Sequence, residues 1–290
     1  MKSNYRYIVK AFMAMAVIAG TTSCDDFLDR EPMSSISPET YYSTAAQLEA
    51  NLNDEYPNVL PSFGQWTYGI FGEDKGTDNQ IEVNANDRYT QDRWKVPHSE
   101  SDNWKFERIY RINFFLSEAL PKFGEDMSGS QNTISGSVAT IKHYIGEMYF
   151  LRAYEYFKKL QLFGDFPIIN QPLADEMEAL REASKRFPRN EVARFIISDL
   201  DKAYAYMSDV DMATTRINKD VAMLVKSRVA LFEATWLQNF KGTAFVPGGE
   251  GWPGASLHNN YQYPSGNIDN EVKYFLEQAV EASKLVADKY

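Results

Sequence analysis

VATIKHYIGEMYFLRAYEYFKKLQLFGDFP, residues 138–167, is the stretch that decides the fold. Ile145, Met148, Tyr149, Phe150, Leu151, Tyr154 and Phe157 put apolar groups on nearly every side of one helical turn after another. A helix that is apolar all round is buried between other helices, so the spacing predicts a central helix over Val138–Phe163. Gly164 can take the left-handed C-terminal cap and Pro167 cannot continue the helix, so the stop is written as clearly as the helix.

Outward from that centre the pattern stays helical. Asp102 to Leu120 places Ile109, Ile112, Leu116 and Leu120 on one stripe and is expected to stop before Pro121. Ser128 to Ser137 reads as a Gly/Ser/Asn-rich connector. Asn190 can cap a helix to Met207 with Val192, Phe195/Ile196, Leu200, Ala203/Tyr204 and Met207 inward. Asn218 can cap another with Val221, Leu224/Val225, Leu231/Phe232 and Trp236 inward. A last helix over Asn270–Tyr290 turns in Val272, Leu276, Ala279 and Val286. A short helix, Ala45 to Glu55, is expected to end before Pro57. No strand pattern stands out, and helices in pairs joined by short turns are the habit of helical-repeat proteins. The starts near 190 and 219 lie 29 residues apart, only a hint of the tetratricopeptide period. The chain ends in or just after a helix with no partner for its apolar face, which suggests an incomplete protein.

Two long irregular stretches interrupt the helices. Roughly Asn58 to Asp102 is rich in Gly, Asn, Asp and aromatic residues, and Lys241 to Asn267 is rich in Gly, Pro and aromatics. Loops this long in a compact domain are usually functional. Sugars need flat apolar faces beside hydrogen-bonding side chains. The first loop offers Trp66, Tyr68, Asp74, Asp78, Asn79, Arg88, Tyr89 and Trp94, and the second Trp252, Tyr261 and Tyr263. For each of these, packing within the loop or core stands beside ligand contact.

The N-terminus reads as an export signal. Lys2, Arg6 and Lys10 form a basic start, and Ala11 to Gly20 (AFMAMAVIAG) form a ten-residue apolar run followed by small residues up to Cys24. That run is too short to span a bilayer, which takes about 20 apolar residues. Cys24 is the only cysteine of the chain. A cysteine at the cut site is what lipidation requires, since its thiol takes a diacylglycerol and the freed amine can be acylated. Two or more acyl chains anchor stably where one does not. Thr21 stands where lipoprotein signals usually carry Leu, and an ordinary secretory signal is the alternative. The expected division is signal peptide 1–23, tether 24–43 and helical domain 44–290.

Removing residues 1–23 takes away three basic residues and no acidic one. That leaves 27 Lys+Arg against 40 Asp+Glu, a net charge of −13. This balance argues against nucleic acid, which needs a basic face, and against wide contact with anionic headgroups. A neutral or weakly charged ligand or a protein partner fits better. Without a second cysteine no intramolecular disulfide forms, so stability rests on packing. His98, His143 and His258 are far apart and lack cysteine companions, so no metal is expected. No Walker A, Rossmann, GxSxG or HExxH pattern occurs, so no cofactor and no catalytic residue is expected. Glu147, Arg152, Asp199 and Arg228 read as buried or half-buried pairs that set helix register rather than as ligand groups.

Several segments in order resemble the SusD/RagB family of bacterial outer-membrane nutrient-binding lipoproteins. They are Cys24-Asp25-Asp26-Phe27-Leu28-Asp29 with Pro32, WKFERIYRIN (104–113), GEMYFLRAYEYFKKLQLFGDFP (146–167), RNEVARFIISDLDKAYAYM (189–207), INKDVAMLVKSRVALFEATW (217–236) and AVEASKLVADKY (279–290). Family members are usually nearly twice this long. The resemblance implies an all-α fold of tetratricopeptide-like helical repeats with long irregular ligand-binding loops. It implies a lipid anchor at the cell surface of Bacteroidetes-type bacteria, and capture of a glycan or other nutrient for a SusC-like TonB-dependent β-barrel transporter, without enzymatic activity. It favours the 64–94 loop for ligand contact and transfers no invariant binding residue. A lipoprotein scaffold for a peptide or protein partner is the alternative, and a surface glycosidase the remote one.

Overall fold

The computed structural model describes residues 41–61, 103–124, 126–208, 212 and 215–290. These residues form seven α-helices: α1 Ala45–Val59, α2 Glu107–Phe123, α3 Val138–Phe163, α4 Met177–Ala183, α5 Arg189–Tyr206, α6 Lys219–Asn239 and α7 Ile268–Ala287. A 3-10 turn covers Pro253–Ser256. No strand occurs among the described residues, only two isolated bridges, Thr44 with Ser135 and Phe166 with Phe187. The all-α expectation therefore holds for the described chain.

α3 is the axis. It runs from Val138 to Phe163 as its sequence predicts, and 17 of its 26 residues are buried. Ser137 caps its start, accepting from the Thr140 N–H, and Gly164 ends it at φ +68°. α1, α2 and α5 pack on α3, α6 packs on α5, and α7 packs on α6. Gly146 marks where α5 comes closest, because a Cβ there would stand 2.9 Å from the Ala203 carbonyl oxygen and 2.8 Å from the Met207 nitrogen.

Charged groups pin these contacts. Arg152 donates from Nε and Nη2 to both oxygens of Asp199 at 2.6 and 2.8 Å, and from Nη1 to Asn113 Oδ1 and the Asn170 carbonyl. Glu147 accepts from Arg216 at 2.8 and 2.7 Å and from the Tyr56 hydroxyl at 2.8 Å. His143 sets Nε2 3.0 Å from both Glu147 and the Ile217 carbonyl, while its Nδ1 accepts from the Ser208 N–H. The latter bond selects the tautomer protonated at Nε2. Glu271 ties α7 to α5 by accepting from Asn190 and Arg194. Burial pushes the Glu271 carboxyl up, but bonds from Arg194, Asn190 and Ser265 outweigh it and hold the group below the ordinary glutamate range. Glu147, Arg152 and Asp199 thus take the register-setting role expected of them. Arg228 does not, since it is exposed.

The sequence reading needs correction at both prolines. α1 continues through Pro57 to Val59, and its last turn is held from outside, by Lys158 Nζ on the Val59 carbonyl and by Tyr56 on Glu147. α2 starts at Glu107 and passes Pro121 to end at Phe123, which is fully buried. A proline in the last turn forfeits one backbone bond, and burial of the residue beyond it offsets the loss.

Two inward faces also differ. In α6 the buried set is Ala222, Met223, Lys226, Val229, Ala230, Glu233, Ala234 and Leu237, while Val221, Leu224 and Leu231 are exposed. In α7 it is Glu271, Phe275, Ala279, Ala282 and Val286, with Leu276 turned outward. Small residues permit close helix approach, and the buried charges have partners, so these faces win over the more hydrophobic ones. Asn218 caps α6 as expected, accepting from the Val221 N–H. Asn190 does not cap α5. That helix starts after Pro188, and the Asn190 amide donates to Glu271 instead.

Candidate functional site

A recess of about 500 Å³ lies where α3 ends. Three segments meet there beside Trp236 of α6: residues 161–165, residues 186–189, and the 244–257 part of the loop between α6 and α7. Phe163, Arg186, Trp236, Phe245, Trp252 and Leu257 form its principal walls.

Asp165 joins all three segments. Gly164 turns the chain out of α3, which brings the Asp165 carboxylate to the start of α5. Its Oδ1 accepts from the Arg189 backbone N–H at 2.8 Å, and its Oδ2 accepts from the Trp252 indole N–H at 2.7 Å. Burial raises the Asp165 pKa above the usual aspartate value, against the lowering effect of those bonds and of the Arg189 charge. Behind it, Arg189 pairs with Glu233 through bonds of 2.9–3.2 Å and lays its guanidinium 4.1 Å from the Trp236 ring centroid. The Trp236 N–H donates to the Phe245 carbonyl at 3.1 Å and so fixes the loop that presents Phe245. Phe166, next to Asp165, packs under the site against Trp104, Phe106, Phe163 and Tyr156.

The result is an apolar recess with polar groups at its edge. Phe245 is 61% exposed, and Arg186 and Gln161 also line the recess. Ring faces beside a guanidinium and an amide suit a pyranose, whose C–H face stacks and whose hydroxyls pair. Asp165, in the recess wall, and Glu233, behind it, both accept from protein donors. No cluster of His, Cys, Asp or Glu able to hold a metal occurs among the described residues, nor is any helix there long and apolar enough to cross a membrane.

Of the residues singled out from sequence, Trp252 stands in this wall. It is only 5% exposed, held by Asp165 and flanked by His258 and Tyr261. Tyr261 donates to Asn190 Oδ1 and Tyr263 to the Pro247 carbonyl, so both hydroxyls brace the loop. Trp66, Tyr68, Asp74, Asp78, Asn79, Arg88, Tyr89, Trp94 and the lipidation candidate Cys24 lie outside the described residues. Sequence reading passed over Arg186 and Phe245 and assigned Trp236 to the core. A phenylalanine between Thr243 and Gly248 in a glycine-rich loop was the one available signal.

Comparison with known proteins agrees with this architecture. Residues 26–231 match the SusD-like family model described as starch-binding and associating with the outer membrane. SusD-like protein P2 of Formosa agariphila is 25% identical over 253 residues, covering 83% of this chain and 46% of that protein. SusD-like protein P25 of the same organism is 25% identical over 233 residues, covering 74% of this chain and 41% of its own length. The chain thus spans less than half the length of these curated relatives. A crystal structure of a SusD-like protein from Bacteroides fragilis NCTC 9343 superposes with a TM-score of 0.51 at 21% identity, covering 73% of this chain and 39% of the other, which supports the fold. Because the family match runs through α1, α2, α3 and α5 and into α6, the helices whose buried ion pairs set the architecture, the chain belongs to the SusD-like family.

Proposed function

We propose that this chain captures a glycan at the cell surface and passes it to a SusC-like TonB-dependent β-barrel transporter. Residues 1–23 direct export, Cys24 carries the lipid that anchors the chain to the outer membrane, residues 24–43 are the tether, and 44–290 form the binding domain. No bond of the ligand is broken. The observation that carries this reading is the aromatic recess edged by Arg186 and Gln161, in a chain whose family is described as starch-binding. Trp66, Tyr68, Asp74, Asp78, Asn79, Arg88, Tyr89 and Trp94 are proposed as further contacts, with the edge of Trp252.

A glycan array probed with the purified chain tests the reading, and failure to bind any glycan sinks it. On an identified ligand, Phe245→Ala is expected to weaken affinity roughly two- to tenfold, the value of one aromatic contact. The thermal midpoint should barely move, because the ring is largely exposed. An unchanged affinity in calorimetric titration would remove Phe245 from the site.

The second reading is a scaffold that docks a protein partner. It is favoured by the exposed Val221, Leu224 and Leu231 on α6. It predicts that Leu224→Ser with Leu231→Ser abolishes partner capture and leaves glycan binding intact.

A further inference from the structure

The aromatic recess contains a cation that no acid among the described residues answers. Arg186 holds its guanidinium 4.5 Å from the Trp104 ring centroid, and its side chain makes no hydrogen bond or ion pair among the described residues. A guanidinium laid on a ring keeps its N–H edge open in the flat, forked geometry that matches a carboxylate or sulfate.

Leu162, 58% exposed, lines this recess and also a second one of about 310 Å³. The second recess is walled by Arg108, Lys158 and Lys159 together with Lys105, Glu107 and Glu155, more cations than acids among the described residues of a chain whose net charge is −10. Glu155, 3% exposed, gathers three of those cations, with Lys158 at 2.5 Å, Lys159 at 3.3 Å and Arg108 at 3.9 Å. One buried carboxylate thus holds three cations in position without matching their charge. Lys158 and Lys159 are further fixed by the Val59 and Asn103 carbonyls, and Arg108, half-exposed, has the loosest contact.

We infer that the glycan this chain takes is acidic: a chain bearing carboxylate or sulfate groups, seated in the aromatic recess with one anion on Arg186, and continuing over Leu162 to a second anion at Arg108 and Lys158. The inference rests on the glycan-capture reading and names its substrate class. A neutral sugar would use the ring faces but would leave the N–H edge of Arg186 without an anion and the cation excess around Glu155 unbalanced. An acidic sugar uses both, and does so against the long-range repulsion of a net-negative chain, which salt screens over about 10 Å at 0.1 M.

The test is calorimetric titration of the purified full chain. The probes are oligogalacturonides and sulfated galactan oligosaccharides, each paired with a neutral oligosaccharide of equal length, and inorganic sulfate alone. Acidic ligands are expected to bind at least tenfold more tightly than their neutral pairs, and the better of the two acidic series identifies the anion as carboxylate or sulfate. Arg186→Gln is expected to lower that affinity at least tenfold. Arg108→Gln should weaken a hexasaccharide and leave a disaccharide unchanged, which reads the span across Leu162. Neutral ligands binding equally well, Arg186→Gln within twofold of the parent, or inorganic sulfate binding as tightly as the oligosaccharides would each overturn the inference while glycan capture stands or falls on the array. No binding to any glycan overturns both.

Discussion

Arg152→Ala is expected to cost the chain about 3–5 kcal/mol of unfolding free energy, the range for removing one partner of a buried ion pair. Arg152 is 3% exposed and donates to Asp199 in α5, Asn113 in α2 and the Asn170 carbonyl. Alanine leaves Asp199, itself fully buried, with Lys202 at 3.8 Å as its remaining cation. It also strands two acceptors. Urea denaturation measures the effect as a lower midpoint. The double variant Arg152→Met with Asp199→Leu should lose less than Arg152→Ala alone, because no charge is stranded in it. A single variant within about 1 kcal/mol of the parent would mean that the pair is hydrated and not structural.

Phe166→Ala is expected to cost a similar amount, about 3–5 kcal/mol, through lost burial and the cavity left behind. The ring is fully buried, with centroids of Trp104 at 4.9 Å, Phe106 at 5.2 Å, Phe163 at 5.8 Å and Tyr156 at 6.0 Å. Its backbone bridges to Phe187 in both directions, at 3.2 and 3.0 Å. Those two strands of chain carry Asp165 and Arg186 into the recess, so the damage should reach the site as well. Phe166→Leu, which refills part of the cavity, should cost less than half as much. Denaturation midpoints and the near-ultraviolet dichroism of Trp104 would report both effects. Equal losses for Leu and Ala would show that the ring geometry, and not the volume, matters here.

The contrast between helix α3 and the recess explains what could be read from sequence. α3 announces itself because its signals are local: apolar residues at every turn and a Gly-Asp-Phe-Pro stop. Asn218 was legible as a cap for the same local reason, whereas Glu147, Arg152 and Asp199 could be marked as members of buried pairs but not joined to their partners, such as Arg216 on Glu147. α6 was misread because hydrophobic periodicity scores Glu233 and Lys226 as surface residues. Both are buried, with Arg189 and Asp201 as partners. Pro57 and Pro121 were read as stops because the contacts that hold the helix ends past them come from elsewhere in the chain. The recess was nearly invisible. Its central bond joins Asp165 to Trp252 across 87 positions, and its exposed ring, Phe245, has no periodicity to mark it. The helix Met177–Ala183 buries no residue, so no pattern of burial could have drawn attention to it.

The loop that carries Phe245 is tied at many points: Trp236 to the Phe245 carbonyl, Tyr263 to the Pro247 carbonyl, Trp252 to Asp165 and Tyr261 to Asn190. Walls already in place surrender little conformational entropy when a ligand arrives. Association should therefore proceed in one encounter step, with no slow rearrangement behind it. In stopped-flow mixing, using tryptophan emission, the observed rate should climb in proportion to ligand concentration without levelling off. Selectivity at this recess would then be decided by how fast each sugar leaves.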